Sequence, residues 1–309
     1  MKITVAICTL NRARLLGRAL AGMRGLKVPQ GIEWELLVVN NNCTDNTDEV
    51  IASYSGHLPV RRIFEAKPTV ANARNAAIKN ARGDYILWAD DDVLVDRDWL
   101  LVYLDAFRRW PDAAVFGGPI SPWFEGTPPQ WLSRIWGRVE IAYAMRDLGD
   151  EHIPLLPTLA RLPFGANFCV RTQEQRRHLY DPAISRQAEV LLSGEELEVI
   201  CDILKEGGTG WWLPGAKVEH WIPQWRQSIK YLRDFYIGCG QTSLVLECCD
   251  VTSVRLFGKP RYLWRRAVES EIKYRIYKLF STPERWIEYL ISASIAWGQL
   301  GLRTWDFPT

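Results

Sequence analysis

An α/β fold with a mostly parallel central sheet and helices on both faces is predicted by three observations. Strand and helix patterns alternate over the first 120 residues, the strands end in clusters of small polar residues, and the fourth strand ends in three consecutive carboxylates.

Residues 3–9 are rich in β-branched types and read as a buried strand. The next helix, 12–24, sets Leu15, Leu16, Ala19, Leu20 and Met23 on one face. A strand over 35–40 leads to a helix over 46–54, and a shorter strand covers 60–64. The alanine-rich stretch 70–81 is helical and stops before Arg82-Gly83. Tyr85, Ile86, Leu87 and Trp88 form an unbroken apolar run, the mark of a buried strand. Asp96 is expected to cap a helix that Pro111 closes, with another strand at 113–116.

From Ser121 onward, prolines and tryptophans punctuate a region of loops and short helices. A strand is expected over 164–170 and a helix over 193–206, its Leu197, Ile200, Cys201 and Leu204 inward and Gly207-Gly208 ending it. Short strands are expected at 211–213 and 216–219, the latter ending at His220. Beyond about Ser228 the chain reads as helical, with a break at Thr282-Pro283. The expected organisation is one α/β domain over 1–227, with halves at about 1–120 and 121–227, and a helical C-terminal extension over 228–309.

Hydrophobic content of 48% and charged content of 24% are those of a globular protein able to bury a sizeable core. A net charge of +2 argues against a dedicated nucleic-acid binder. Seven cysteines without CxxC spacing, two of them adjacent at Cys248 and Cys249, form neither a disulfide framework nor a zinc site; a reducing, cytoplasmic compartment is expected. The first residues read as a strand rather than a signal peptide. The longest uncharged stretch, 289–302, is 14 residues, short of a membrane span.

Asp90, Asp91 and Asp92 repel one another at the end of a buried strand unless a cation joins them. Mg²⁺ and Mn²⁺ take oxygen ligands of this kind, usually completed by phosphates. On an extended backbone Asp90 and Asp92 would share a side, with Asp91 opposite. The plainer reading is a solvated acidic turn before a helix. No GxGxxG follows the first strand and no GxxxxGK[ST] occurs, so neither dinucleotide nor P-loop binding is expected. The strand ends instead carry Thr9 and Asn11, Asn40 to Asp45, Lys67 and Arg74. Such a set suits a nucleotide held by amides, a cation and a metal. Helix capping by Thr9 and Asp45, and solvation of Lys67 and Arg74, are the structural alternatives.

In order, TLNRA at 9–13, VVNNNCTDNT at 38–47, ANARNAAIKNARGDYILWADDD at 71–92, PFGANFCV at 163–170, GEELE at 194–198 and VEH at 218–220 resemble the inverting family 2 glycosyltransferases of the GT-A fold. The resemblance covers about residues 3 to 240. It implies a nucleotide-binding half at 1–120, an acceptor half at 121–227, and transfer from a nucleoside diphosphate sugar to a carbohydrate or lipid-linked hydroxyl acceptor. It also implies a divalent metal, Mn²⁺ or Mg²⁺, and a part in polysaccharide or glycoconjugate synthesis.

By the same resemblance, Thr9, Asn11, Arg12, Asn40, Asn41 and Asp45 would line the nucleotide. Arg74, Lys67 and Arg226 would lie toward ribose and phosphates, and Gly165 and Asn167 beside the donor sugar. Asp90, Asp91 and Asp92 would form the metal-binding DxD element, with Asp92 the first choice of ligand, Asp90 beside it and His220 completing the shell. Glu196 would be the general base, with Glu195 its neighbouring candidate. Glu196 also fits a capping box from Ser193, so a purely structural role stays open. Two departures stand out: Asn40 and Asn41 occupy positions where many relatives carry Asp, and Glu195-Glu196 stands where the family commonly has Glu-Asp.

Other readings are a nucleotide- or glycan-binding relative without turnover, and a sugar nucleotidyltransferase, though TLNRA lacks the glycines such enzymes need. Of Trp123, Trp131, Trp211, Trp212 and Trp221, most are expected in the core. In the tail, Arg265, Arg266, Lys273, Arg275 and Lys278 flank an apolar series of Trp264, Val268, Ile272, Ile276 and Leu279. Contact with the inner face of an anionic membrane, packing on the α/β domain, and a homodimer interface all stay open.

Overall fold

The computed structural model describes residues 1–182, 195–246 and 255–302. The alternating pattern of the first 120 residues becomes β1 (Lys2–Thr9), α1 (Ala13–Met23), β2 (Glu33–Asn40), α2 (Thr47–Ser53), β3 (Val60–Phe64), α3 (Val70–Asn80), β4 (Tyr85–Ala89), β5 (Val93–Val95), α4 (Trp99–Arg109), β6 (Val115–Gly117) and β7 (Ile120–Phe124). After α5 (Gln130–Val139) come β8 (Asn167–Arg171), α6 (Thr172–Arg177), α7 (Glu195–Lys205), β9 (Gly210–Trp212) and β10 (Val218–Ile222). The C-terminal part holds α8 (Ile229–Leu246), the two-residue strands β11 (Arg255–Leu256) and β12 (Lys259–Pro260), α9 (Arg261–Phe280) and α10 (Pro283–Gln299).

A seven-stranded sheet runs in the order β3-β2-β1-β4-β8-β6-β9. Neighbours pair in parallel except on the two sides of β8, which runs against β4 and β6. The mostly parallel sheet is therefore present, with one reversed strand. β1 and β2 are buried nearly throughout, Thr4 and Glu35 included, as parallel strands covered on both faces are. The register carries Thr9 level with Asn40, and β4 lies against the other edge of β1. The polar corners after β1, β2 and β4 thus meet at one end of the sheet, the carboxyl end where open α/β sheets bind ligands.

Local differences from the sequence reading have physical causes. The helix after β5 starts at Trp99 rather than at Asp96. Asp96 forms the preceding turn instead, its carboxylate accepting from the Asp98 N–H at 2.8 Å. β8 starts at Asn167 because 164–166 form a turn closed by Asn167 N–H to Phe164 O. β10 continues past His220 to Ile222. The expected helix start at Ser193-Gly194 and the Cys248-Cys249 pair lie outside the described residues.

Residues 1–123 and most of 144–221 form one compact unit. Residues 124–143 join the C-terminal helices in a second compact unit. Within that second unit α5 is tied to α10 by the Arg134–Glu284 and Arg138–Glu288 ion pairs and by Trp131 packing on Trp286. The break between α9 and α10 falls at Ser281-Thr282, with Pro283 opening α10.

The crossing of α8 and α10 depends on glycine. A Cβ on Gly240 would collide with the Ile295 carbonyl oxygen, and one on Gly298 with that of Ile237. Both obstacles are backbone and neither can swing aside. Gly240→Ala or Gly298→Ala is expected to cost at least about 2 kcal/mol of stability. Chemical denaturation reads this directly; a midpoint equal to wild type would contradict so close a crossing.

Candidate active site

The three carboxylates sit on a turn between β4 and β5, closed by a hydrogen bond from Val93 N–H to Asp90 O. The chain is not extended there, so the expected alternation of Asp90 and Asp92 against Asp91 does not hold. Asp91 and Asp92 instead share one cation. Arg12 Nη1 donates to Asp91 Oδ1 at 2.6 Å, and Nη2 to Asp92 Oδ2 at 2.5 Å. Thr9 Oγ1 donates to the other oxygen of Asp91 at 2.7 Å. Antiparallel pairing of β5 with β10 sets His220 opposite Val93, which brings His220 Nε2 to 3.4 Å from Asp92 Oδ1.

Charge in this turn is unevenly compensated. Burial raises the Asp91 carboxyl to about 7 against the attraction of Arg12, with Asp92 adding to the rise. Asp90 is raised to about 6 by burial and by Asp92, against Arg74 and His220. For Asp92 the burial penalty is outweighed by His220 and Arg12, which hold its carboxyl well below the usual range.

A second buried group stands beside this turn. Glu196, in the first turn of α7, is 4% exposed, and both its oxygens are engaged. Gly165 N–H donates to Oε1 at 3.0 Å and Arg74 Nη1 to Oε2 at 3.1 Å. Arg74 projects from α3, nearly buried, with its guanidinium 5.1 Å from the centre of the Tyr180 ring. Burial works against the Arg74 charge, but Tyr180, Glu196 and Asp90 together hold it firmly protonated. Asp90 feels Glu196 as well as Arg74 and His220, so the carboxylate turn and Glu196 belong to one electrostatic site. Burial pushes the Cys8 thiol up to about 12, against Arg74 and with Asp90 and Asp91. It is inert as a nucleophile.

Glu196 rather than its neighbour reaches this site. Glu195 faces a cavity of about 270 Å³ lined by Arg177, His178, Tyr180 and Asp181 among others. The Glu196 oxygens bond Gly165 and Arg74, and the alternative capping box from Ser193 lies outside the described residues. Gly165 is required by closeness: a Cβ there would lie 2.8 Å from Glu196 Cδ and 3.1 Å from Arg74 Nη2. Gly165→Ala must push the carboxylate aside. Because small misplacements of a reacting group are costly, activity is expected to fall about 10²-fold with little loss of donor binding. A kcat equal to wild type would contradict this placement.

Several residues expected to touch a nucleotide are engaged inside the protein. Asn40 accepts from Cys43 N–H at 2.7 Å and donates to Asp48 at 2.6 Å, fixing the loop after β2. Asp45 accepts from Ala13 N–H at the start of α1 and from Thr47. Asn11, at φ 51°, accepts from Thr44 N–H at 2.7 Å. These three build the corner. Asn167 is wholly buried: its Oδ1 accepts from Trp99 Nε1 and Tyr103 Oη, and its Nδ2 donates to Pro119 O and Ala216 O. Its hydrogen-bonding capacity is filled, so it is a core residue rather than a sugar contact. Asn41 donates to Thr69 O, but its buried Oδ1 has no hydrogen-bond partner among the described residues. Lys67 is exposed on the loop after β3. Arg226 lies in the second unit, its guanidinium against Trp225 and Tyr231.

Sequence reasoning passed over Tyr180 and the exact partners of Arg12. Tyr180 is 2% exposed and its hydroxyl has no hydrogen-bond partner among the described residues. Of the tryptophans, Trp212 is fully buried, Trp211 stacks on Trp110, and Trp123 and Trp221 pack on each other and on Arg18.

Among the described residues no three acidic, histidine or cysteine side chains already converge as a metal shell. The donor chemistry still suits a hard divalent cation. A carboxylate oxygen of Asp92 and an imidazole nitrogen of His220 are adjacent, and Asp90 feels the charge of both. These three side chains could hold Mn²⁺ or Mg²⁺.

The sequence profile described as "Glycosyl transferase family 2" matches residues 4–160, half of the chain. Succinoglycan biosynthesis protein ExoM of Rhizobium meliloti is 24% identical over 255 residues, covering 78% of this chain and 74% of its own. Staphylococcus aureus TarS, solved with UDP, superposes with a TM-score of 0.56 at 14% identity, covering 97% of this chain and 90% of the other. The mannosyltransferase PcManGT of Pyrobaculum calidifontis, solved with GDP-Man and Mn²⁺, gives 0.54 at 15% identity, with 95% and 86% covered. Profile, relatives and the sheet with its one reversed strand agree, and the chain belongs to glycosyl transferase family 2, as a glycosyltransferase of the GT-A fold.

Proposed function

We propose that this enzyme moves a sugar, with inversion, from a nucleoside diphosphate sugar to a hydroxyl of a glycan or lipid-linked acceptor in glycan synthesis. The observation that carries the reading is Glu196: a buried carboxylate, oriented at both oxygens, beside a turn of three aspartates at the carboxyl end of the sheet. One element offers a base and the other a place for a diphosphate and its counter-ion.

In this reading Glu196 takes the proton of the acceptor hydroxyl as its oxygen bonds to the anomeric carbon. The bond from that carbon to the diphosphate oxygen breaks on the opposite face, and its electron pair leaves with the nucleoside diphosphate. Gly165 and Arg74 fix the direction of the Glu196 carboxylate. Arg12 and Thr9 hold Asp91 and Asp92 in place. A divalent cation held by Asp92, Asp90 and His220 would stabilise the charge on the departing diphosphate. Asn41 Oδ1, buried and without a hydrogen-bond partner among the described residues, is the acceptor offered to a nucleobase N–H. TarS has been solved with UDP-GlcNAc and PcManGT with GDP-Man and Mn²⁺, which supports donors of this class.

The test is a panel of nucleoside diphosphate sugars with Mn²⁺, read by release of free nucleoside diphosphate. Turnover of at least one donor is expected. Donor binding without release from any donor would favour the binding-protein reading instead.

A further inference from the structure

Helix α9 is apolar on two opposite faces. Leu263, Ala267, Ser270 and Tyr274 are buried, and Leu263 and Ala267 pack with Ala293, Ala296 and Trp297 of α10. Roughly 180° around the helix, Val268, Ile272, Ile276 and Leu279 form a continuous stripe. They are 44%, 52%, 51% and 76% exposed, and Phe280 follows at 83%. At the preceding hairpin, Phe257 occupies a turn position at φ 48° and is 84% exposed. A bulky residue is disfavoured there, and no burial accounts for it.

The charge around this stripe is one-sided. Residues 255–280 carry eight basic and two acidic side chains, a net +6 in a chain whose total is +2. Arg261, Arg265, Lys273, Arg275 and Lys278 are all exposed along the same helix. A two-fold contact with a second copy would set this surface against itself and bring like charges together. An anionic surface has the opposite preference. Exposed basic side chains beside an apolar stripe suit a lipid interface, and no described helix is long and apolar enough to cross a membrane.

We propose that α9 and the Phe257 hairpin lie flat on an anionic phospholipid bilayer, with Ile272, Ile276 and Leu279 among the acyl chains and the basic side chains at the headgroups. This surface lies in the second unit and stands whether or not the transferase reading does.

The test is co-sedimentation of the full chain with vesicles of phosphatidylcholine, with and without phosphatidylglycerol. Wild type is expected to bind the anionic vesicles at least about tenfold more tightly than the neutral ones, and to be released by salt. The double variant Ile272→Glu/Ile276→Glu is expected to lose binding at an unchanged melting temperature. Hydrogen exchange on wild type gives an answer independent of the variant: residues 257–280 become protected when anionic vesicles are added. Equal binding to neutral vesicles, no binding, or no protection of 257–280 overturns the proposal. So does an oligomer that this double variant dissociates while vesicle binding is absent.

Discussion

Glu196→Gln is expected to lower turnover by about 10²–10⁴-fold, the usual worth of a positioned general base. Donor affinity should change little. Gln keeps the shape of the side chain, and its carbonyl oxygen can still accept from Gly165 N–H or from Arg74. What it loses is the capacity to take a proton. Arg74 then faces a neutral partner, so some loss of melting temperature accompanies the change. Steady-state release of nucleoside diphosphate and thermal shift with donor separate the two effects. Full turnover in the variant would remove Glu196 as the base.

Asp92→Asn is expected to have the second large effect. Asp92 faces both Arg12 and His220, and burial makes its full charge available to a cation only because those two compensate it. Removing that charge should abolish the Mn²⁺-dependent part of donor binding and reduce turnover by about 10²-fold or more. Metal-free stability should move little. Loss of the attraction to Arg12 and His220 is offset by relief of the repulsion that raises Asp90 and Asp91. Melting curves with donor, with and without Mn²⁺, read both parts. A Mn²⁺ response equal to wild type would assign the cation to other residues.

Much of the fold was legible because the period of the sequence states it. The β-branched stretch at β1, the unbroken apolar run at β4 and the small-residue helix α3 lie where the pattern puts them. Features that depend on contacts across the chain were not legible. Nothing near Arg12 says that its two nitrogens meet carboxylates 79 and 80 residues away. Asn167 has the composition of a ligand contact, yet Trp99 and Tyr103 turn it into a buried connector. The aspartate triplet follows a strand, but the turn that rotates its side chains is closed by a backbone bond that no side chain announces. Segment 124–143 reads locally as part of a loop region, and its place beside α10 rests on Arg134, Arg138 and Trp131 finding distant partners. The motif favours Glu196 over Glu195, but the bond that seats Glu196 on Gly165, 31 residues earlier, is one that no local pattern announces.

The most direct test pairs wild type with Glu196→Gln against one panel of nucleoside diphosphate sugars in Mn²⁺, measuring both thermal shift and release of nucleoside diphosphate. The same donor should raise the melting temperature of both proteins, because binding stabilises the folded state of each. Only wild type should release nucleoside diphosphate at an appreciable rate. Equal release from both proteins, or no stabilisation of either by any donor, would contradict a sugar-nucleotide site worked by Glu196.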